Sequence, residues 1–405
     1  PWLFGDVSIP YDAKAHFQAQ VQFLANALHT GQSPFWNPHV FAGSPQIADP
    51  QSLVLSPAIL IALFDRSPSF QLVDGFTFAL LALGGYSVLL LFKDRGWHPA
   101  GAIVAALGFA FGASAAWRIQ HIGQVQSFAF FALALWLLVR TLDRQSVRWG
   151  IAAGLAMGLL IVEPDQVAYL GGLILIGYVV HHWLAGDDRA QRFKDSFRPL
   201  LAAGITCIAL AALPLLMTIL FLLSSSRPSI PFAEATRGSL HPASLLTLLF
   251  SDLYGAYDKA VEYWGPFSWT WNPNEVTLSQ NMSQLYIGAL PVALLLGLGF
   301  SRRLLISRDI RFYAGATLLM TIYALGSNTP AFRVLYEILP GVSVFRRPAD
   351  ATFLVGGLLA ILSGYLVHRW VTNTAFGDRG RPQLRLKVYA LCALSVLAIA
   401  VAGGL

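Results

Sequence analysis

Asp6 and Asp12 stand six residues apart in "GDVSIPYDAKAHF" (5–17), with Pro10 between them and His16 soon after. Carboxylates beside an imidazole are the residue types that take up and hand on protons. The sequence requires no cofactor, but paired carboxylates can also hold a divalent metal, Mg²⁺ or Mn²⁺, which would place Asp6 and Asp12 as its ligands, with Asp49 as a third. The plainer reading makes Asp6 a turn residue after Gly5 and Asp12 the N-cap of the helix that follows. No CxxC, HExxH or similar metal spacing occurs, and Cys207 and Cys392 both fall inside apolar runs as small core residues.

Further polar groups recur at a few places along the chain. "GQSPFWNPHVFAGSPQIADPQS" (31–52) is a long turn-rich loop carrying Trp36, Asn37 and Asp49. "AWRIQHIGQ" holds Arg118, His121 and Gln124, and "VEPDQ" places Glu163 and Asp165 at the junction of two short apolar segments. Carboxylates at membrane depth are costly and usually have a partner or a role. "LPGVSVFRRPADATF" (339–353) presents Arg346 and Arg347, whose guanidinium forks suit phosphate oxygens, with Asp350 or lipid headgroups as the plainer partners. "EYWGPFSWTWNP" contains Trp264, Trp269 and Trp271, an interfacial aromatic belt or a stacking platform for sugar rings.

The elements that must position these groups are apolar. Of 405 residues, 56% are hydrophobic and 12% charged, with mean hydropathy +0.58, against about 25% charged in soluble proteins. Charge clusters between apolar runs long enough to cross a bilayer, and no long run alternates at period two. The expectation is an all-α polytopic membrane protein of about ten transmembrane helices, at 70–92, 99–117, 124–140, 147–162, 167–184, 199–223, 284–300, 311–327, 351–370 and 386–405. "DAKAHFQAQVQFLANALHTG" places Phe17, Val21, Leu24 and Leu28 on one helical face ending at Gly31, so the first loop itself is helical. "LVLSPAILIALF" (53–64) is too short to cross and suits the interface.

Alternate loops hold 18 of the 27 Lys and Arg residues, which makes those loops cytoplasmic, while 14 of the 21 carboxylates fall on the opposite side. The +6 net charge therefore expresses topology, and no nucleic-acid partner is expected. The organisation follows: residues 1–69 form an extracytoplasmic loop with amphipathic and interfacial helices, and 70–223 form transmembrane helices. Residues 224–283 form an aromatic-rich extracytoplasmic segment, and 284–405 further transmembrane helices with an outer loop at 328–350. The chemistry-bearing residues then gather extracytoplasmically, and no internal repeat with broken helices appears.

The run "GD…P…FLANALHTGQSPFWNPHVFAGSPQIADPQS…SP", with "QHIGQ" and "PGVSVFRRPAD", resembles the YfhO-like bacterial membrane proteins. The shared pattern is an early acidic residue, a G-x-x-P-x-W-N-P step, a G-x-P step and a P-Q pair. That resemblance implies the GT-C glycosyltransferase superfamily: a GT-C-like helical bundle in the bacterial cytoplasmic (inner) membrane. It would move a sugar from a polyprenyl-phosphate donor to a cell-envelope glycan, lipid or protein acceptor. It also implies a further helix before Pro1 and a further part after Leu405. The catalytic carboxylate of the first outer loop maps to Asp6 or Asp12, and the two stay unseparated. Arg346 and Arg347, then Arg118 and His121, would hold the donor phosphate, leaving Asp49, Gln124, Glu163, Asp165, Trp36 and Asn37 as acceptor-side or supporting residues. Direct displacement would invert the anomeric centre. Two rival readings are a lipid-linked-sugar transporter or flippase, which demands polar groups near mid-span, and a non-catalytic membrane assembly subunit.

Overall fold

The structure is a computed structural model, and it describes residues 2–225, 229–255, 263–266 and 280–374. The expected span 386–405, Cys392, Trp269 and Trp271 lie outside the described residues. Among the described residues there is no strand, only one isolated bridge between Asn37 and Ser44. The helices are α1 Gln18–Thr30, α2 Ile59–Phe64, α3 Phe70–Asp94, α4 Pro99–Phe111, α5 Ala113–Ala116, α6 Ile122–Arg144 and α7 Val147–Ile161. They continue with α8 Gln166–Leu184, α9 Arg189–Ser224, α10 Phe232–Ala235, α11 Ala289–Leu294, α12 Arg311–Ala324, α13 Pro330–Ile338 and α14 Thr352–Val371. Six segments are long and apolar enough to cross a bilayer: α3, α4 with α5, α6, α8, α9, and the stretch 348–371 around α14. The chain is a multi-pass membrane protein.

Several expected spans come out shorter than a bilayer. α7 has 15 residues, because Glu163-Pro164 stops it, and α12 has 14. The 284–300 run begins as an irregular segment, and only Ala289–Phe300 is helical, its second half in π geometry.

The fold divides into two compact units, residues 1–84 with 118–229, and residues 85–117 with 230–405. In the first unit α6 is the central helix, its apolar stretch 78% buried, with α7, α8 and α9 packed around it. α7 meets α9 through Gly150, Gly154 and Gly158, spaced four apart on one face. A Cβ on Gly150 would run into the Pro199 carbonyl, and one on Gly154 into the Ala203 carbonyl. Such small-residue stripes let backbones approach closely where lipid supplies no hydrophobic drive. The first 69 residues are anchored by a core of Phe17, Val21, Leu24 and Ala25 from the α1 region. It is completed by Leu53, Val54, Ala58 and Ala62, by Val73 of α3 and by Ile122 at the start of α6. α1 ends at Gly31, which takes φ +71, a conformation a residue with a Cβ rarely adopts.

In the second unit α14 is central. Its stretch is 94% buried, and α4 and α12 pack along it. Gly101 of α4 and Gly364 of α14 face each other, each so close that a Cβ would meet the other's carbonyl.

The α7–α9 crossing is directly testable. Gly154→Leu should destabilise the protein by about 1–3 kcal/mol through overpacking, read as a lower thermal-unfolding midpoint of the purified protein. Gly172→Ala, whose Cβ would meet nothing within 4 Å, should leave that midpoint unchanged.

Candidate functional site

The polar residues of the first unit collect around the first turn of α6. Asp12 is exposed, and one carboxylate oxygen lies 3.3 Å from Nδ1 of His121, the residue immediately before α6. The two side chains are 55% and 17% exposed, so solvent reaches the pair from the Asp12 side. The expected capping role of Asp12 is not realised. Its own backbone is already helical (φ −60, ψ −28), the first turn Ala13–Phe17 is π-helical, and the side chain makes no cap bond. The residue before it, Tyr11, has φ +55. That conformation is costly for an aromatic residue and marks where the chain is bent to aim Asp12.

One turn into α6, Gln124 accepts a hydrogen bond from the Arg118 guanidinium, and Arg118 is only 1% exposed. On another side of the same turn, a Cβ on Gly123 would sit 3.4 Å from Oε2 of Glu163. Glu163 is 4% exposed, and neither carboxylate oxygen has a hydrogen-bond partner. Burial pushes its carboxyl well above the usual carboxylate range, and the neighbouring charges of Asp165 and Asp49 push it the same way. The nearby Leu53 amide acts in the opposite sense and is outweighed. Asp165 caps α8, accepting from the Ala168 amide (2.7 Å) and from the Ser127 hydroxyl of α6 (3.0 Å). Asp49 accepts from the Gln51 amide (2.9 Å) and lines a water-sized cavity with Glu163, Ser52, Pro214 and Thr218.

Two other expected residues shape the loop before Asp49. Asn37 is buried, exchanges two backbone bonds of 2.9 Å with Ser44, and accepts from the His39 amide. Trp36 is half exposed, and its ring lies against Gly43, whose φ of +118 and lack of a Cβ the contact requires. Asp6 is exposed, in the turn after Gly5, and the structure shows no bond from its side chain to the α6 turn. The structure thus brings together Asp12, His121, Gln124, Arg118, Glu163, Asp165 and Asp49, and leaves Asp6 at the edge.

Arg346 and Arg347 belong to the second unit. Arg346 lies 3.7 Å from Glu234, which also pairs with Arg237 at 3.1 Å. Arg347 is exposed with φ +61, and its amide bonds the Arg237 carbonyl. Trp264, half exposed, packs edge-to-face on Tyr254 at 5.0 Å. Among the described residues no three His, Cys, Asp or Glu side chains converge as a ligand set.

Sequence reasoning missed Asp74. It is buried in the first turns of α3 and accepts from the Ile9 amide at 2.9 Å, tying down the segment between Asp6 and Asp12. It is the single carboxylate inside the 70–92 apolar run, and that isolation was the available signal. Glu234 and Arg237 were also missed; nothing in their spacing announces an ion pair with Arg346.

No protein-family model matches the chain, and no curated protein matches it. Among solved structures the chain is similar to the archaeal oligosaccharyltransferase AglB from Archaeoglobus fulgidus, determined in complex with an inhibitory peptide and a dolichol-phosphate. The identity is 16% and the TM-score 0.47, covering 95% of this chain and 50% of that one. The chain spans about half the length of that protein, and at this identity no residue role passes from it.

Two outcomes test this geometry. Asp74→Ala strands the buried Ile9 amide, which should cost about 1–3 kcal/mol and speed hydrogen exchange at Ile9 and its neighbours. For Glu163, the folded state holds its proton to higher pH than the unfolded state does. Stability contributed by this site is therefore full below the ordinary carboxyl range and falls as pH rises towards the raised folded value. Glu163→Gln should remove that loss, giving a higher unfolding midpoint than wild type at pH 8 and a difference that shrinks towards pH 4.

Proposed function

We propose that the chain is an integral-membrane glycosyltransferase that takes a sugar from a polyprenyl-phosphate donor at the extracytoplasmic membrane face, with Asp12 as general base. The observation that carries this is the Asp12–His121 pair at 3.3 Å, exposed on one side and backed by the first turn of α6, where Ile122 and Val125 are buried. A base must be reachable by the acceptor hydroxyl yet fixed in direction. Asp12 meets both conditions, whereas among the described residues no bond fixes the Asp6 side chain, so Asp12 is the favoured assignment of the two.

In the proposed step the acceptor oxygen bonds the anomeric carbon from the face opposite the phosphate. The bond from that carbon to the carrier's phosphate oxygen breaks, and the bonding pair leaves with the phosphate. The hydroxyl proton passes to Asp12, and the anomeric centre inverts. His121 orients the carboxylate and steadies its charge. The charge that develops on the departing phosphate needs a preorganised cation. Arg118 is too buried for direct contact and acts through Gln124 as a positioning residue. The bacterial inner membrane and a cell-envelope acceptor follow from the YfhO-like motifs and belong to this proposal. The transporter reading asks for mid-span charge, and the buried span carboxylate Asp74 is engaged with the Ile9 backbone.

The test is transfer from a radiolabelled polyprenyl-phosphate sugar by the full chain in vesicles. Asp12→Asn should lower the rate about 10²–10⁴-fold, the usual contribution of a positioned base, while Asp6→Asn stays within a few-fold of wild type. Full activity in Asp12→Asn would remove it from the mechanism; the reverse pattern would move the base to Asp6.

A further inference from the structure

The second unit contains a cleft of about 550 Å³ that the glycosyl-transfer reading does not use, within the usual range for ligand sites. One wall is the last turns of α4 and the start of α5, from Val104 to Trp117. The other is the irregular segment 286–291 leading into α11, and Ser251 and Asp252 stand at the rim. The walls are tied together before anything binds: the Ala113 amide donates to the Tyr286 carbonyl (2.7 Å), and the Ser114 hydroxyl to the Gln284 carbonyl (3.0 Å). Gly108, Gly112, Ala113 and Ala116 keep the floor low, and Leu107 and Phe111 are 54% and 68% exposed beside it. Val104 to Phe111 covers roughly 10 Å of helix, so the cleft is an apolar trough running along the last turns of α4.

Charge identifies the occupant. Asp252 takes φ +51 at the rim, its carboxylate accepts from the Ser251 hydroxyl (3.0 Å), and among the described residues it forms no ion pair. An exposed carboxylate above an apolar trough repels a phosphate headgroup that carries no cation and attracts one that ends in an ammonium. α4 starts just after Lys93 and Arg95, and the helix from 289 runs on to Arg302 and Arg303. The charge-derived orientation therefore places this end of both helices in the extracytoplasmic leaflet.

We infer that this cleft is a binding site for one amino-headgroup phospholipid, its acyl chain in the trough and its ammonium on Asp252. The inference rests on the orientation used above but not on sugar transfer.

The test uses the purified full chain in vesicles containing either phosphatidylethanolamine or phosphatidylglycerol with brominated acyl chains, at equal mole fraction. The readout is quenching of Trp117, taken as the difference between wild type and Trp117→Phe. Phosphatidylethanolamine should quench that component about fivefold more effectively, the size expected of an interfacial ion pair. Asp252→Asn should equalise the two lipids, and Ala116→Phe, which fills the trough, should weaken quenching by both. Equal quenching of wild type by the two lipids, an undiminished preference in Asp252→Asn, or the absence of a Trp117 component would each overturn the proposal. No sugar is transferred in this measurement, so its failure is separate from failure of the glycosyltransferase reading.

Discussion

A polar side chain in an apolar setting must find a partner or stay neutral. In the first unit several such side chains meet around the beginning of α6. His121 precedes the helix and reaches Asp12; Gln124 reaches Arg118; Glu163 lies against Gly123; Asp165 holds Ser127 one turn on. Ile122 from the same turn is part of the core that fixes α1, α2 and the loop between them. The apolar anchoring and the polar gathering therefore share one turn of helix, and displacing it would disturb both together.

Glycines make this arrangement compact. The Gly150, Gly154 and Gly158 stripe brings α9 against α7, and α7 ends at Ile161, two residues before the buried Glu163. The depth of the Glu163 carboxylate is thus set by how closely two helices pack some distance away. A buried carboxyl with no hydrogen bond is tolerated because it can stay neutral, the form that burial favours.

How much of this was legible in the sequence depends on the range of each interaction. The amphipathic face of α1 and its stop at Gly31 are local, and Phe17, Val21 and Leu24 are buried together on that face. The long apolar runs are local too, and the run 147–162 stops where α7 does, just before Glu163-Pro164. Asp12 looked like a cap because spacing can be read from sequence, whereas the left-handed Tyr11 and a histidine 109 residues further on cannot. Charge led to the expectation that Arg118, His121, Gln124, Glu163 and Asp165 share one membrane face; their convergence around a single helical turn was not legible. The WGIAAGLAMG stripe was in plain view, but it acquires meaning only once the backbone facing it is known.

α9 has 36 residues with an apolar stretch only 11% buried. At 1.5 Å per residue such a helix is about 54 Å long, well beyond a hydrocarbon core of about 30 Å. Its apolar stretch must stay with the acyl chains, so the bilayer itself decides how far its two ends protrude. Near one end Thr218 donates to the carbonyl of Ala48, the neighbour of Asp49. A thicker or thinner membrane would consequently raise or lower the Asp49 loop against the headgroups, making bilayer thickness a physical variable of the site.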